Sequence, residues 1–136
     1  MRSHLFFPSC ISTERSTFIA DEIRNNQYRE LFQPSSLISG KEDAANNFGR
    51  GYYTIGKEME IVIMESIRKQ ADTCENFAGF FIFHSMGGGT GSGLTTLLMQ
   101  KLEDEFRKKY KLEFVIYPCP RVRLKKYLFL INPYRV

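Results

Sequence analysis

An α/β fold built on a parallel sheet is what this sequence predicts, on three observations. Residues 79–83 (GFFIF) are a short, continuous apolar run rich in aromatics, the pattern of a strand buried on both faces. Residues 92–109 then carry Leu94, Leu97, Leu98, Leu102 and Phe106 at the spacing of one helical stripe. Residues 112–117 (LEFVIY) return to strand formers, and Pro118 and Pro120 stop them. Strand, helix and strand in that order make a βαβ unit, for which a right-handed crossover is expected.

The remaining elements follow in chain order. With 136 residues, 43% of them hydrophobic and 25% charged, the chain has the size and balance of one globular domain. Residues 17–25 read as a short helix with Ser16 or Thr17 as its cap and Phe18, Ile19 and Ile23 toward a core. Leu37 and Ile38 form a brief apolar pair ended by Ser39 and Gly40. Residues 40–51 (GKEDAANNFGRG) are rich in Gly, Asn and Asp, which tolerate unusual backbone angles, and read as a structured loop. Over 54–71, Ile55, Met59, Val62, Ile63 and Ile67 share one stripe and predict a long helix. Arg107, Lys108 and Lys109 would suit the negative dipole end of the second helix.

Composition excludes several classes. The net charge is +4, but Arg121, Arg123, Lys125, Lys126 and Arg135 cluster near one end, so the rest of the chain is close to neutral. Phosphate-backbone recognition spreads its cations over a folded face, so no nucleic-acid partner is expected. Cys10, Cys74 and Cys119 lie far apart and form no C-x-x-C pair, which argues against a disulfide framework or a zinc knuckle and fits a reducing compartment. Residues 1–12 lack the apolar stretch of a signal peptide, and no run is long enough to span a bilayer. A soluble chain without a membrane partner is the expectation.

The informative segment is 87–93 (GGGTGSG), between a strand and an amphipathic helix. Glycines remove the side chains that would hold a ligand away, so successive amides can converge on phosphate oxygens, and the helix start adds its free N–H groups and positive dipole end. Thr90 and Ser92 offer hydroxyl donors. The nucleoside-triphosphatase loop fails, because Leu94 stands where its lysine belongs, and the dinucleotide fingerprint fails because its last glycine would fall on Ser92 or Leu94. The plainer alternative is a tight strand-to-helix turn, which needs one or two glycines where this loop has Gly87, Gly88, Gly89, Gly91 and Gly93. His84 reads as a structural hydrogen-bonding residue rather than a base, and Glu103–Glu105 with Arg107–Lys109 as a solvated helix face.

With its flank GFFIFHS, the loop GGGTGSG resembles the signature of the tubulin family, GTP-binding subunits of microtubules. GKEDAANNF at 40–48, RGYYTIGKE at 50–58 and KLEFVIYP at 111–118 resemble α-tubulins more than β-tubulins. The resemblance covers 21–122 as a partial GTP-binding domain, flanked by divergent segments at 1–20 and 123–136. It implies an incomplete doubly wound, Rossmann-like domain of three αβα layers. It also implies that Gly87, Gly88, Gly89, Thr90, Gly91 and Ser92 wrap the phosphates of GTP, and that Asp43, Ala44, Ala45 and Asn46 approach the γ-phosphate from the other side. Asp43 would hold Mg2+ indirectly, through water.

Departures from the family pattern shape the remaining expectations. Ser16 stands where an acidic residue is expected, the family's first strand and first glycine loop have no counterpart, and RLKKYLFLINPYRV replaces the segment that contacts ribose and guanine. The resemblance therefore implies an α-tubulin-like microtubule constituent in the cytoplasmic cytoskeleton, with β-tubulin and other tubulin subunits as partners, low GTP affinity and no hydrolysis alone. A non-enzymatic tubulin-interacting fragment and a vestigial product are the alternatives. Loss of the first strand would expose a sheet edge, which Tyr127–Ile131 (YLFLI) has the composition to cover, a disordered extension being the equal alternative.

Overall fold

A computed structural model describes residues 11–12, 23–27, 29–31, 34–40, 42 and 44–118. It divides into two compact units, Met1–Asp43 and Ala44–Val136. In the first, β1 (Ile11–Ser12) pairs in parallel with β2 (Ile38–Ser39), and the apolar pair Leu37–Ile38 leads into β2. Single 3₁₀ turns occupy Arg29–Leu31 and Pro34–Ser36. Of the helix predicted over 17–25, residues 23–25 are helical and 17–22 lie outside the described residues.

The second unit holds α1 (Ile55–Thr73), β3 (Gly79–Ser85), α2 (Thr95–Glu105) and β4 (Tyr110–Ile116). Strands β3 and β4 pair in parallel from Gly79 opposite Tyr110 to Ser85 opposite Ile116, with α2 as the connection. The fold is α/β with a parallel sheet, consistent with part of a Rossmann-like domain. Among the described residues, no helix is long and apolar enough to cross a membrane.

The two helices differ from their sequence reading in detail. α1 buries Ile55, Gly56, Met59, Ile63 and Met64, so its apolar arc is turned toward Met64, while Val62 is exposed. α2 stops at Glu105 because Phe106 leaves helical geometry (φ −118°, ψ 48°). The cations at 107–109 therefore lie beyond the last turn, where Lys109 spends its ammonium on the Phe77 carbonyl (2.5 Å) and above the Phe77 ring. Lys111 Nζ reaches back to the Phe106 carbonyl (3.0 Å) and to Glu103 (2.6 Å), which ties the start of β4 to the end of α2. Ion pairs Arg68–Glu105 and Lys101–Glu60 bridge α1 and α2 along their solvent side.

β3 is not buried on both faces as its composition suggested. Phe80, Ile82 and His84 are sheltered, with the Phe80 ring edge-on to Phe106 at 5.3 Å, but Phe81 and Phe83 point to a face with 56% and 71% exposure. Leu112, Phe114 and Ile116 continue that open face on β4. The reason is the layer count: among the described residues, the contacts of the sheet are with the α2 side, so alternate side chains have a cover and the others do not.

Candidate functional site: two loops in contact at the end of β3

The site is assembled from residues 44–54 and 86–96. In the first segment the amide of Asn47 donates to the Ala44 carbonyl (2.9 Å), closing a turn in which Ala45 (φ 49°) and Asn46 (φ 54°) both adopt the left-handed conformation. That geometry is ordinary for Asn and costly for Ala, and such outliers concentrate at ligand clamps. Asn47 Oδ1 accepts from the amides of Gly49 (2.8 Å) and Arg50 (3.4 Å), so one side chain caps the chain's entry into a π-helical turn, Arg50–Thr54.

The second segment leaves β3 with the Met86 amide donating to the Ile116 carbonyl (3.1 Å) and the Gly87 amide to Ser85 Oγ (3.0 Å). Gly88 then turns with φ 89°, a conformation open to glycine at little cost. A second π-helical turn, Thr90–Leu94, leads into α2. The Ser92 hydroxyl donates to the Gly88 carbonyl, so its proton is used inside the loop, and the Thr96 hydroxyl donates to the Ser92 carbonyl (2.8 Å).

These segments touch backbone to backbone. A Cβ on Gly89 would lie 2.5 Å from the Asn47 carbonyl oxygen and 2.6 Å from the Ala44 Cβ, and one on Gly51 would collide with the Gly89 carbonyl. Three of the glycines that suggested a ligand cradle, Gly89, Gly91 and Gly93, thus also permit close packing, Gly91 against the Ser85 carbonyl and Gly93 against the Phe48 carbonyl. Ala44, Gly89 and Ser92 are buried, Gly87, Gly88, Thr90 and Gly91 half-buried, and Ala45 and Asn46 exposed. The structure thus brings Ala44 against Gly89, while Asp43 lies outside the described residues.

Two features make this junction more than a turn. The amides at the head of the helical segment, from Gly88 to Gly91, precede any carbonyl of their own helix that they could reach, and they carry the positive end of its dipole. Thr90 Oγ1 is buried and has no hydrogen-bond partner. A buried hydroxyl without a partner is costly unless a ligand or water completes it. Glycines, free amides and a donor hydroxyl fit a phosphate group. For a magnesium ion, no cluster of three or more candidate ligand side chains occurs among the described residues. A groove of about 370 Å³ between α1 and α2, lined by residues such as Glu60, Arg68, Lys101 and Glu105, contains none of the loop residues.

The paired π-helical turns were missing from the sequence reading, because no residue type marks a shift of hydrogen bonding by one position. His84 has the structural bond expected of it, with Nδ1 2.7 Å from the Gly91 carbonyl oxygen.

The description "Tubulin/FtsZ family, GTPase domain" belongs to the family model that matches residues 2–129. In Caenorhabditis elegans, the Tubulin alpha-8 chain is 51% identical over 127 residues, covering 93% of this chain and 27% of that one. The Tubulin alpha-2 chain of the same organism is 51% identical over 117 residues, covering 86% of this chain and 26% of its own length. The chain spans about a quarter of the length of the curated relatives it matches.

Proposed function

The chain belongs to the Tubulin/FtsZ family, and from that premise we propose that it is a GTP-binding, α-tubulin-like constituent of microtubules whose described residues supply the phosphate-facing side of the nucleotide site. The observation that carries this reading is the junction of the 44–47 turn with the 87–92 loop, where a buried, unpartnered Thr90 hydroxyl stands beside the leading amides of a helical turn. Gly88, Gly89, Thr90 and Gly91 would hold the phosphates by backbone and hydroxyl donation. Ala44, Ala45 and Asn46 would close on the terminal phosphate, with Gly87 and Ser92 shaping the loop. Mg2+, when bound, would neutralise phosphate charge, with Asp43 as its indirect holder through water.

GTP affinity of this chain alone is expected to be low, because RLKKYLFLINPYRV at 123–136 stands where the resemblance implies the residues that contact ribose and guanine. Hydrolysis alone is expected to be undetectable, since among the described residues neither loop of the junction, 44–54 or 86–96, carries a carboxylate that could activate water. Isothermal titration with GTP and magnesium tests the first statement, and phosphate release measured against a Gly89→Val control tests the second. Weak, magnesium-dependent binding abolished by Gly89→Val is the expected result; binding unaffected by that substitution would remove the loop from the site. β-Tubulin and other tubulin subunits are the proposed partners, and the microtubule cytoskeleton of the cytoplasm the proposed location.

A second reading has its own observation. The open sheet face of Phe81, Phe83, Leu112, Phe114 and Ile116 suits a fragment that associates with tubulin subunits without nucleotide turnover. Co-sedimentation with preformed microtubules at low and high salt separates the modes. Salt-resistant binding supports the apolar face, salt-sensitive binding the basic residues near 121–135, and no binding removes the reading.

A further inference from the structure

We propose that His84 is a positioning residue for the phosphate-facing loop: its Nδ1–H holds the Gly91 carbonyl out of the helical ladder and keeps the first turn wide. In an ordinary α-helix the amide of Thr95 would donate to the carbonyl of Gly91, four residues back. Here it reaches the carbonyls of Ser92 and Thr90 instead, the signature of the π-helical turn. The displaced Gly91 carbonyl is the group that His84 Nδ1 meets at 2.7 Å. A carbonyl can only accept, so the proton of that bond resides on Nδ1.

The surroundings leave the ring one directed task. The His84 side chain is 10% exposed, and Nε2 is buried without a hydrogen-bond partner. Glu113 Oε2 stands 3.6 Å from Nε2, beyond hydrogen-bonding distance. The strand end and the turn also touch directly, since a Cβ on Gly91 would collide with the Ser85 carbonyl. His84 therefore fastens the last residues of β3 to the middle of the turn that carries Thr90 and the leading amides. Were Thr95 to recapture the Gly91 carbonyl, the turn would tighten by one residue, and each amide ahead of it would swing by about 100°, the rotation per residue of a 3.6-residue helix. The consequence for ligand affinity rests on the phosphate-binding reading, whereas the conformational role does not.

The test uses the full chain and three variants. Asn places a side-chain nitrogen at the same bond distance from Cβ as Nδ1, Gln places one at the position of Nε2, and Leu has neither. Nitrogen-15 spectra should show a protonated Nδ1 in the unsubstituted protein. His84→Leu should shift the amide signals of residues 88–91 and lower GTP affinity about tenfold. His84→Asn should restore both to within about twofold, and His84→Gln should not. Loop signals in His84→Leu that match the unsubstituted protein, or rescue by Gln rather than Asn, would overturn the proposal. If His84→Leu fails to fold, the Asn and Gln comparison decides it. If the unsubstituted chain binds no GTP at millimolar concentration, the functional reading falls, and the loop spectra of the unliganded variants still decide the role of His84.

Discussion

Where residues 44–56 meet residues 89–97 the packing is nearly closed, with Ala44 at 1% and Leu97 at 2% exposure, whereas the outer face of the β3–β4 pair is open, with Ile116 at 71%. Both regions are apolar, and both end at the same strand. The difference lies in what faces them. The loop junction is sealed by its own backbone, glycine against carbonyl, and by the ends of two helices. The outer face depends on a layer that is absent among the described residues, and its aromatic rings meet mainly one another, Phe83 stacked on Phe114 at 4.7 Å. A parallel sheet is ordinarily covered on both faces. This unit therefore places its tightest packing under the candidate site rather than across the sheet, so the geometry of the site is set by contacts that do not involve the open face.

The most severe break of that contrast is Gly51→Ala. The new Cβ would collide with the Gly89 carbonyl, a backbone atom with no freedom to rotate away. Overpacking against backbone at the centre of the junction should cost about 3 kcal/mol or more. In a unit of this size that removes a cooperative melting transition, measurable by circular dichroism. A melting curve unchanged by the added methyl would mean that the two loops are not in contact. Next in size is Leu97→Ala, which empties a fully buried position beneath the same junction and should cost about 2–5 kcal/mol in denaturant titrations.

The sequence announced these two regions unequally. The stripe of α1 and the strand-forming runs of β3 and β4 were legible because periodicity and composition report burial directly. The number of covered faces was not, since an apolar run such as 79–83 reads alike whether one face or two are covered. Glycine spacing marked the loop at 87–93, but glycine answers two needs, room for a ligand and close packing of chain on chain, and Gly89 meets the second against Ala44 and Asn47. The opposing turn at 44–46 read as a structured loop from its letters, and only the family resemblance put it beside phosphate. Its left-handed Ala45 is a feature that residue identity argues against. The displaced Gly91 carbonyl was invisible, because hydrogen-bond register within a helix leaves no mark in composition.

On the open face the expected effect is smaller. Phe83→Thr removes a stacked ring that is mostly in water already, so the loss in stability should be about 1 kcal/mol or less. The same substitution should reduce self-association on gel filtration, because it interrupts a contiguous apolar surface. A stability loss as large as that of Leu97→Ala would mean that the face is covered in solution, which would erase the contrast between the two regions.

The smallest effect belongs to the polar seam joining α1 to α2. Arg68 holds Glu105 with two hydrogen bonds of 2.5 and 2.7 Å, and these lower the Glu105 pKa below the ordinary carboxylate range, ahead of the opposing effect of desolvation. A carboxyl with a lower pKa in the folded than in the unfolded state favours folding above the unfolded value, and that contribution is lost as the pH falls through the folded one. Glu105→Gln should therefore leave the melting temperature at neutral pH within about 2 °C of the unsubstituted protein, since both side chains are partly in water and screened. Its trace should appear instead as a shallower decline of stability with acidification below the ordinary carboxylate pKa. Added salt should shrink even that difference, because water reaches both partners. An acid limb as steep in Glu105→Gln as in the unsubstituted protein would show that the Arg68–Glu105 pair contributes nothing to stability, leaving Lys101–Glu60 and the buried residues to hold the helices together.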